Sequence, residues 1–535
     1  MTQWKPWIHR LAGASATLLA GGAPAVQYDI GDTQINVGGY LRQYVSTNLS
    51  DNKDLRGDDQ FDVSMLRSVV QLNADTQVGP LFFKAIGRIA REPLTRYSED
   101  LEDQHNARFG GAPFFVPRKT DFNDQYNEDE LREFYVAFDA GDRFGFTIGR
   151  QQVVWGESDF FQAMDIVHGY DFRWRAFLEP ENEDTRRPLA MINGQIKVPE
   201  FDGTLQVLLR PGGWGRDHDI GSLYDTFGGR WAPQKDRGTD IPAFLRYNYR
   251  HSDGDVQDTT WGLRWSGLAG PVQYTLNYLR WFGTDPVIDS IWNPTANMGD
   301  LKGVWGSLYF PKLSTYGFTA SGYVEPVDAV FSTEIAYTKD KPYNMLGSPD
   351  NCPFGGTGCG GTLAGQPLPS LGGVTDRDTI RAMVRMDKQL KTEGWLGTAR
   401  PSLFSVQVFD TWLLGYDPRH NGDPLAIVDG PGHAAIKKEH STVATAILAM
   451  NYRYDTINPT LAAGWDPSNN GGFFIPSVDL VYGEHWRIRF EADLFFHDGD
   501  SKFNSGDPWT ASTDTHLFGY FANNNQLLMR ATYQF

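Results

Sequence analysis

Charged side chains occur at every second position in several stretches of this sequence. In residues 485–497, Arg487, Arg489, Glu491 and Asp493 alternate with apolar residues. Such a row could attract anions, because the arginines place several positive charges along one line. Alternatively, the arginines and carboxylates could pair with one another and stiffen the wall that carries them. The sequence supports both interpretations equally, so the elements that hold the row have to be identified first.

The spacing of these charges is that of a β-strand. Trp486, Ile488 and Phe490 fall on the opposite face from the charged row, whereas a helix would scatter both sets around its axis. The same separation of faces recurs in 441–455 and 33–47. These stretches reach about ten residues or more, which is the length that a tilted strand needs to cross a membrane. Strands of soluble sheets cluster near about five or six residues.

The composition excludes several other classes of protein. The 535 residues include 48 basic and 66 acidic side chains, for a formal charge of -18, and 40% are hydrophobic. That apolar content is too high for a disordered chain, and the acidic balance argues against a nucleic-acid partner. No stretch approaches the roughly eighteen apolar residues of a membrane-spanning helix. A membrane β-barrel and an exported soluble β-protein that binds carbohydrate both remain.

Connections between the predicted strands differ in length in a regular way. Short turns such as 78–80 and 199–203 largely alternate with long polar segments such as 93–129 and 211–257. An up-and-down barrel of the outer membrane has this asymmetry, with tight periplasmic turns and long extracellular loops. The sequence thus predicts an all-β, antiparallel transmembrane barrel of about 18 strands, within a range of about 16 to 20. The predicted strands are 33–47, 62–76, 81–92, 130–139, 144–155, 188–199, 203–211, 258–267, 271–282, 313–325, 328–339, 375–388, 401–413, 441–455, 458–466, 473–482, 485–497 and 526–535.

The polar faces of these strands are predicted to line the barrel interior, since a charge facing lipid costs roughly 2–4 kcal/mol at the midplane. Arg150 conflicts with this assignment, because it shares the parity of the apolar residues Phe146 and Ile148. Either a bulge near Gly149 reverses the facing of Arg150, or its side chain reaches water at the outer interface. The predicted pore-lining residues are Arg42, Arg67, Lys84, Arg88, Arg264, Glu334, Arg381, Arg385, Arg453, Arg487, Arg489, Glu491 and Arg530.

The segment 156–187 differs from the other long connections because it is rich in aromatic residues and in charges of both signs. Such a loop is too apolar to be fully exposed to solvent, so we predict that it folds into the barrel as a constriction. Its acidic residues would then face arginines on the wall and set a field across the opening. A loop packed over the rim is the alternative. The residues predicted to form the constriction are Glu157, Phe177, Glu179, Glu181, Glu183, Arg186 and Arg187.

The beginning of the chain has the three parts of a secretory signal. Residues 1–25 contain early positive charges, a short apolar stretch and a small-residue cleavage site ending at Ala25. The mature barrel would then occupy residues 26–535. In an exported protein, the two cysteines, Cys352 and Cys359, are expected to form a disulfide bond within a glycine-rich loop.

The sequence lacks the usual signatures of catalysis and metal binding. Many histidines fall in predicted loops, and no Gly-x-Ser-x-Gly element supplies a nucleophile. Asp498, Asp500 and Asp507 resemble part of a calcium loop, but their spacing does not complete the pattern. We therefore expect no catalytic residue, no metal site and no cofactor.

The last ten residues alternate up to a C-terminal aromatic residue. Leu527, Met529, Ala531 and Tyr533 share a face with Phe535. This arrangement is similar to the terminal strand by which outer-membrane barrels are recognised by the barrel-assembly machinery. It favours the outer membrane of a Gram-negative bacterium, with lipid, lipopolysaccharide and that machinery as partners.

Five short elements, spread over most of the mature chain, carry a resemblance: Gly149-Arg150-Gln151, Trp155-Gly156-Glu157, Asp165-Ile166-Val167, Tyr316-Gly317 and Glu334-Ile335-Ala336-Tyr337. They resemble a proteobacterial outer-membrane family known only as a domain of unknown function. The resemblance implies a porin-like barrel, often encoded near exporters or near genes of lipid and steroid metabolism. It implies no catalytic residues.

The sequence leaves several functions open. The first is a porin-like channel for the uptake or export of small anionic or amphipathic solutes. The second is a conduit for hydrophobic or lipidic cargo that works with an inner-membrane exporter, since aromatic residues such as Phe160, Phe161 and Trp174 would suit such cargo. An outer-membrane enzyme and the soluble carbohydrate-binding protein are further alternatives. Conductance in planar bilayers separates the first two functions, and extraction without detergent identifies the last.

Overall fold

The first and last long strands of the sheet pair with each other, so the sheet closes into a barrel. Their antiparallel pairing runs from Tyr40 opposite Gln534 to Asn48 opposite Gln526, and the other strands pair with their neighbours along the chain. Within the described residues the closed barrel has 18 strands. A short additional strand, Val26–Ile30, pairs with the first strand only. The predicted fold class and strand number are confirmed.

The structure is a computed structural model. The predicted signal at 1–25, the residues Cys352 and Cys359, and the partial calcium pattern at 498–507 lie outside the residues that it describes. The described residues are 26–31, 33–51, 57–109, 122–225, 229–232, 250–251, 254–288, 308–345, 362–363, 366–367, 374–416, 436–497, 517–522 and 524–535.

The strand bounds agree with the two-residue alternation of the sequence to within a few residues at most ends. Each strand is numbered here in chain order around the barrel. The strands are β1 Thr33–Asn48, β2 Val63–Val78, β3 Leu81–Arg91, β4 Glu128–Ala140, β5 Phe144–Gln151, β6 Leu189–Val198, β7 Gly203–Arg210, β8 Thr260–Ala269, β9 Val272–Phe282, β10 Lys312–Val324, β11 Ala329–Asn344, β12 Val374–Leu390, β13 Ser402–Leu413, β14 His440–Ala449, β15 Ile457–Asp466, β16 Gly471–Tyr482, β17 Trp486–His497 and β18 Gln526–Gln534.

Smaller elements lie in the connections. No helix in the described part of the chain is long and apolar enough to cross a membrane. The α-helices are α1 Arg96–Phe109, α2 Asn182–Thr185 and α3 Glu393–Leu396. The 3-10 helices are Phe122–Gln125, Ala176–Leu178, Pro199–Phe201, Asp217–Asp219, Glu325–Val327 and Leu517–Phe521. The two-residue strand pairs are Arg250–His251 with Gly254–Asp255, Val287–Ile288 with Leu308–Tyr309, and Thr362–Leu363 with Gln366–Pro367.

Two strands end earlier than the alternation predicts. Strand β5 ends at Gln151 because the chain leaves the sheet there and turns into the barrel. Strand β14 ends at Ala449 because Arg453, Tyr454 and Asp455 have φ angles of 50°, 56° and 63°, in the left-handed region that no strand can hold. Arg453 is an exposed turn residue. Contrary to the prediction, it does not belong to the barrel wall.

The outer face of the barrel is apolar through the middle of the strands. Leu276 at the centre of β9 is 53% exposed, and Leu72, Ile89, Phe318 and Val384 are also exposed on their strands. A soluble protein would bury such a band of side chains, whereas a membrane barrel presents it to lipid. The facing of the strands therefore agrees with a membrane-embedded barrel.

Aromatic side chains form belts on the outer face near both ends of the strands. Near the end that carries the long loops, the ring of Tyr278 lies 4.9 Å from that of Trp261 and 5.0 Å from that of Tyr316. At the other end, where the short turns lie, the Trp486 and Tyr533 rings are 5.1 Å apart. Amphipathic rings prefer the boundary between lipid and water, so the two belts mark the two interfaces.

The lipid-facing band yields a prediction about stability. We expect Leu276→Arg to lower the free energy of unfolding in lipid vesicles by about 2–4 kcal/mol, because the charge would enter the hydrocarbon near its midplane. Tyr454→Arg, at an exposed turn, is the matched control and should leave the free energy unchanged. Denaturant titration followed by tryptophan fluorescence measures both values. Equal effects of the two substitutions would contradict the membrane-facing assignment of β9.

Candidate functional site

The interior of the barrel is occupied by the chain between β5 and β6. We call residues 152–188 the plug. Met164 and Trp174 of the plug are buried. Glu334 on β11 accepts a hydrogen bond from the N–H of Met164 at 2.8 Å and another from the N–H of Glu157. The predicted constriction loop thus lies inside the barrel and does not pack over its rim.

Arginines of the wall hold the backbone of the plug at several further points. Each donates from its guanidinium to a carbonyl oxygen of the plug, so the sequence-predicted interior residues contact the segment that fills the interior. The contacts are Arg67 to Trp174 at 3.1 Å, Arg88 to Asp184 at 2.7 Å, Arg264 to Val154 at 3.0 Å and Arg385 to Glu157 at 2.8 Å.

Acidic residues of the plug pair with arginines of the first and last strands. Glu181 binds both terminal nitrogens of Arg530 on β18, at 2.6 and 3.2 Å. Glu179 lies 3.0 Å from the same guanidinium. Asp184 accepts from Arg42 on β1 at 2.6 Å. The plug therefore bridges the seam at which the barrel closes.

One plug residue makes the reverse pairing. The guanidinium of Arg175 contacts Glu491 and lies 3.3 Å from Asp493, both on β17. Arg489 on the same strand binds Glu491 at 2.7 Å and Asp479 on β16 at 2.6 Å. The alternating charges of β17 thus form a chain of ion pairs that extends onto the plug.

A third group of ion pairs lies beside β3, β4 and β5. Arg88 binds Glu130 at 3.0 Å. Arg150 contacts Asp219 and lies 3.4 Å from Glu130. Because both carboxylates are buried, the Arg150 side chain is directed to the interior. Gly149 beside it has a φ of +132°, but the register of β5 with both neighbouring strands is unbroken there. The structure therefore shows neither the predicted bulge in the pairing nor a side chain that reaches outward to water.

The remaining predicted residues are also placed by the structure. Glu183 is exposed, and its backbone carbonyl, not its carboxylate, accepts from an arginine of the wall, Arg132, at 2.6 Å. The other placements are Arg67 with Glu92 at 2.7 Å, Lys84 with Glu133 at 3.5 Å, Arg186 with Asp165 at 2.5 Å, Arg187 with Asp219 at 3.4 Å, Arg381 with Asp285 at 3.1 Å, Arg385 with Asp159 at 3.0 Å, and Arg487 with the carbonyl of Gly483 at 3.3 Å.

These contacts bear on the two interpretations of the arginine rows. An arginine taken out of bulk water needs a nearby negative charge, and most of the interior arginines named above have one. Paired charges cancel at a distance, so the field that they project across the opening is weak. The geometry therefore favours ion pairs that fix the plug over a strongly positive passage.

Apolar side chains form a cluster on part of the interior face of β12 to β17. We call them the apolar sector. Phe177 of the plug packs on this sector, with its ring 5.5 Å from that of Phe473, and Phe161 lies 5.6 Å from Phe409. Phe518, from the last long connection, closes the cluster at 5.4 Å from Phe177. The wall residues of the sector are Met383, Phe409, Val443, Ala462, Phe473, Ile475 and Phe495.

The apolar sector was not predicted, because alternation was taken to place apolar residues toward lipid. On β16, Phe473 is 1% exposed inside the barrel while its neighbour Phe474 is 41% exposed outside. Ile475 returns to the interior. A strand with apolar residues on both faces has an uninterrupted apolar run in its sequence. The run at residues 473–475 could therefore have indicated that β16 is apolar on both faces.

A cleft remains between the plug and β9 to β12. Its space is about 540 Å³, part of it open to solvent. Ile166 from the plug and Trp281 from the wall contribute apolar surface, whereas Asp285, Lys341 and Arg381 contribute charge. The cleft thus combines an apolar surface with an ionic one.

A cluster of carboxylates on the plug has the spacing of metal ligands. Oxygens of Glu179, Glu181 and Asp184 lie within 4.8 Å of one another. Arg42 and Arg530 already bind these oxygens. The cluster is therefore part of the ion-pair network, in which guanidinium groups supply the positive charge.

His168 fixes the two ends of the plug to each other. Its Nε2 accepts from the N–H of Val153 at 2.8 Å, and its Nδ1 lies 2.9 Å from the carbonyl oxygen of Arg187. Burial, reinforced by the positive charge of Arg186, lowers the pKa of His168 to about 3. The imidazole is neutral at physiological pH, as one accepting and one donating nitrogen require.

The family model for proteins of unknown function designated DUF1302 matches residues 7–535. This chain belongs to that family. The resemblance to an outer-membrane barrel family of unknown function is thereby confirmed, and it covers nearly the whole sequence.

Solved structures share the barrel outline with this DUF1302 chain at low sequence identity. OccAB3 of Acinetobacter baumannii is 8% identical, with 95% of this chain and 100% of that one covered and a TM-score of 0.44. OpdK of Pseudomonas aeruginosa, solved with vanillate, is 9% identical, with coverages of 94% and 98% and a TM-score of 0.42. OmpF of Salmonella typhi, in complex with daunomycin, is 8% identical, with coverages of 95% and 100% and a TM-score of 0.39. No curated protein matches the sequence.

The pairing of Arg175 yields a prediction about stability. We expect Arg175→Met to destabilise the DUF1302 barrel by about 3–5 kcal/mol, because it leaves the buried Asp493 without its ion-pair partner and Glu491 with Arg489 alone. The free energy of unfolding in vesicles measures the effect. Arg91→Met removes an exposed ion pair with Asp129 and should cost less than about 1 kcal/mol. A loss of similar size in both variants would show that Arg175 does not hold the plug.

A buried carboxyl group outside the spanning strands predicts a pH dependence. Asp225 accepts from the N–H of Trp231 at 3.2 Å, and burial raises the pKa of Asp225 from 3.8 to about 8. Between these pH values the folded protein keeps a proton that the unfolded chain has lost, so Asp225 lowers the stability progressively as the pH rises through this window.

Asp225→Asn mimics the protonated form and removes this loss. We therefore expect the variant to be more stable than the parent at pH 8, and the difference to shrink toward zero near pH 4. Unfolding curves at four pH values measure the difference. An advantage that stays constant with pH would contradict the assigned protonation of Asp225.

Proposed function

We propose that this protein is a porin-like channel of the outer membrane that passes small amphipathic solutes, including anions. The observation that carries the proposal is the two-sided interior. The plug packs against ion-paired walls at the seam, between β17 and β5, and against the apolar sector on β12 to β17. A solute that moves past the plug would meet both kinds of surface, and this favours solutes that have both.

The size of the barrel supports a transport role. Barrels of about 16 to 18 strands enclose more space than their own side chains fill, and an aqueous passage results. Here the plug occupies part of that space, so the passage around it would be narrow. Narrowing by an inward-folded segment gives selectivity by size and polarity while leaving the wall intact.

The outer face of the barrel indicates which molecules are expected to contact it. We propose that membrane lipid contacts the apolar band and that lipopolysaccharide contacts the end with the long loops. We also propose that the barrel-assembly machinery recognises β18 together with Phe535, because this strand presents alternating apolar residues up to the C-terminus. None of these roles requires chemistry on the solute.

A second candidate is a conduit for hydrophobic or lipidic cargo that works with an inner-membrane exporter. The apolar sector is the observation that favours it, since Phe160 and Phe161 of the plug are only partly buried against this sector and would be wetted in an aqueous passage. The two candidates differ in conductance. A solute channel conducts ions in a planar bilayer, whereas a conduit filled by apolar groups conducts almost none.

The selectivity of the channel can be tested with two anions that differ in apolar surface. We expect vesicles containing the protein to pass hexanesulfonate faster than isethionate, because only hexanesulfonate gains from apolar contact. Phe160 and Phe177 cover Phe473, so Phe473→Ser should act by breaking the apolar packing that holds these plug rings beside the passage. We expect it to reduce the preference about fivefold or more, which corresponds to about 1 kcal/mol. Flux of each anion into vesicles, measured by light scattering, gives the ratio.

The adjacent residue supplies the control. Phe474→Ser makes the same chemical change on the lipid-facing side of β16 and should leave the preference between the anions unchanged. Heat-modifiable mobility on gels establishes that both variants are folded. An unchanged preference in folded Phe473→Ser, or faster passage of isethionate in the parent protein, would refute the proposed selectivity.

A further inference from the structure

We propose that the cleft between the plug and β9 to β12 is a binding site for a small organic monoanion with an apolar body, such as a ring carboxylate. The inference rests on the proposed channel function and deepens it, because it gives the transported solute a place to bind. Two features of the cleft support it: the ratio of its charges and its apolar lining.

The charges that line the cleft are unequal in number. Lys341 Nζ and Arg381 contact the same oxygen of Asp285, Oδ2, at 3.3 and 3.1 Å. The other oxygen, Oδ1, accepts from the hydroxyl of Tyr224 at 3.2 Å. Two cations thus share one carboxylate among the lining residues, whereas Arg175 of the plug faces three carboxylates, Glu179, Glu491 and Asp493. The excess at the cleft is one positive charge.

Arg381 is more accessible than Arg175 of the plug. The side chain of Arg381 is 29% exposed and that of Arg175 is 1% exposed. A guanidinium presents paired donors that match a carboxylate, and an ammonium adds a point charge beside it. An entering carboxylate can therefore bind Arg381 and Lys341 on the side that Asp285 leaves open.

The surface next to these cations is apolar. Leu279 and Trp281 on β9 line the cleft, and Ala163 and Ile166 face them from the plug. An apolar ring beside the bound carboxylate would contact this apolar lining. A ligand with a charged end and an apolar body therefore fits the cleft better than either part alone.

Asp285 sets the strength of binding. It occupies both cations in the empty cleft, so an anion has to share them with it. Binding is then weak enough for release, as a transport site requires. Removing the Asp285 charge should strengthen the binding of an anion and leave that of a neutral analogue unchanged.

Calorimetric titration of the folded, detergent-solubilised protein tests the site. The probes are benzoate, the neutral analogue benzamide, and acetate, which lacks the ring. We expect benzoate to bind at least about tenfold more tightly than either of the others, a ratio that corresponds to about 1.4 kcal/mol. Asp285→Asn should raise the affinity for benzoate severalfold without affecting benzamide. Arg381→Gln should lower the affinity for benzoate about tenfold or more.

The outcomes separate this inference from the channel proposal. Equal affinities for benzoate and benzamide, or an unchanged benzoate affinity in folded Asp285→Asn, would overturn the anion site. Arg91→Gln, an exposed change outside the cleft, should have no effect. If the vesicles retain their preference for hexanesulfonate while benzoate does not bind, only the cleft assignment fails. If both results are negative, the channel proposal fails as well.

Discussion

The structure depends on the pairing of β1 with β18. A strand in hydrocarbon finds no water for its N–H and C=O groups, so an open edge would leave a row of them unsatisfied. Closing the sheet removes the edge and fixes the number of strands that surround the interior. With 18 strands that interior is too wide for wall side chains alone to fill. The chain fills part of it with residues 152–188, and every charge carried inward on this segment then needs a partner.

The two-residue period predicted most of the wall because it records a physical difference between the two sides of each strand. It succeeded for Arg42, Arg489 and Arg530, where a lipid-facing charge would be costly. It could not predict their partners. Glu179 and Arg530 are 351 residues apart in sequence, and only the closed barrel brings them together. It also failed where both sides of a strand are apolar, as at Phe473 and Phe474, because lipid and the apolar sector then select the same residue types.

The ionic and apolar contacts of the plug differ in what they contribute. Apolar packing of Phe177 against the aromatic rings of β16 and β17 stabilises the plug but tolerates small shifts. A buried ion pair adds little net stability, because desolvation offsets the attraction, yet a displacement that leaves its carboxylates unpaired is costly. Arg175 therefore specifies where the plug sits, and the apolar sector supplies cohesion around that position. The cleft beside Asp285 lies away from the seam. At the cleft, the ion pairs leave the interior less completely filled.

Because the plug contacts both β1 and β18, its final position depends partly on the last strand of the chain. Glu179 and Glu181 are synthesised long before Arg530, which lies in the last nine-residue strand. Until that strand pairs with β1, Glu181 lacks its guanidinium partner, Glu179 has only Arg175 at 3.5 Å and Arg42 at 3.9 Å, and the wall is still open. Closure of the barrel and the last ion pairs of the plug therefore both depend on β18.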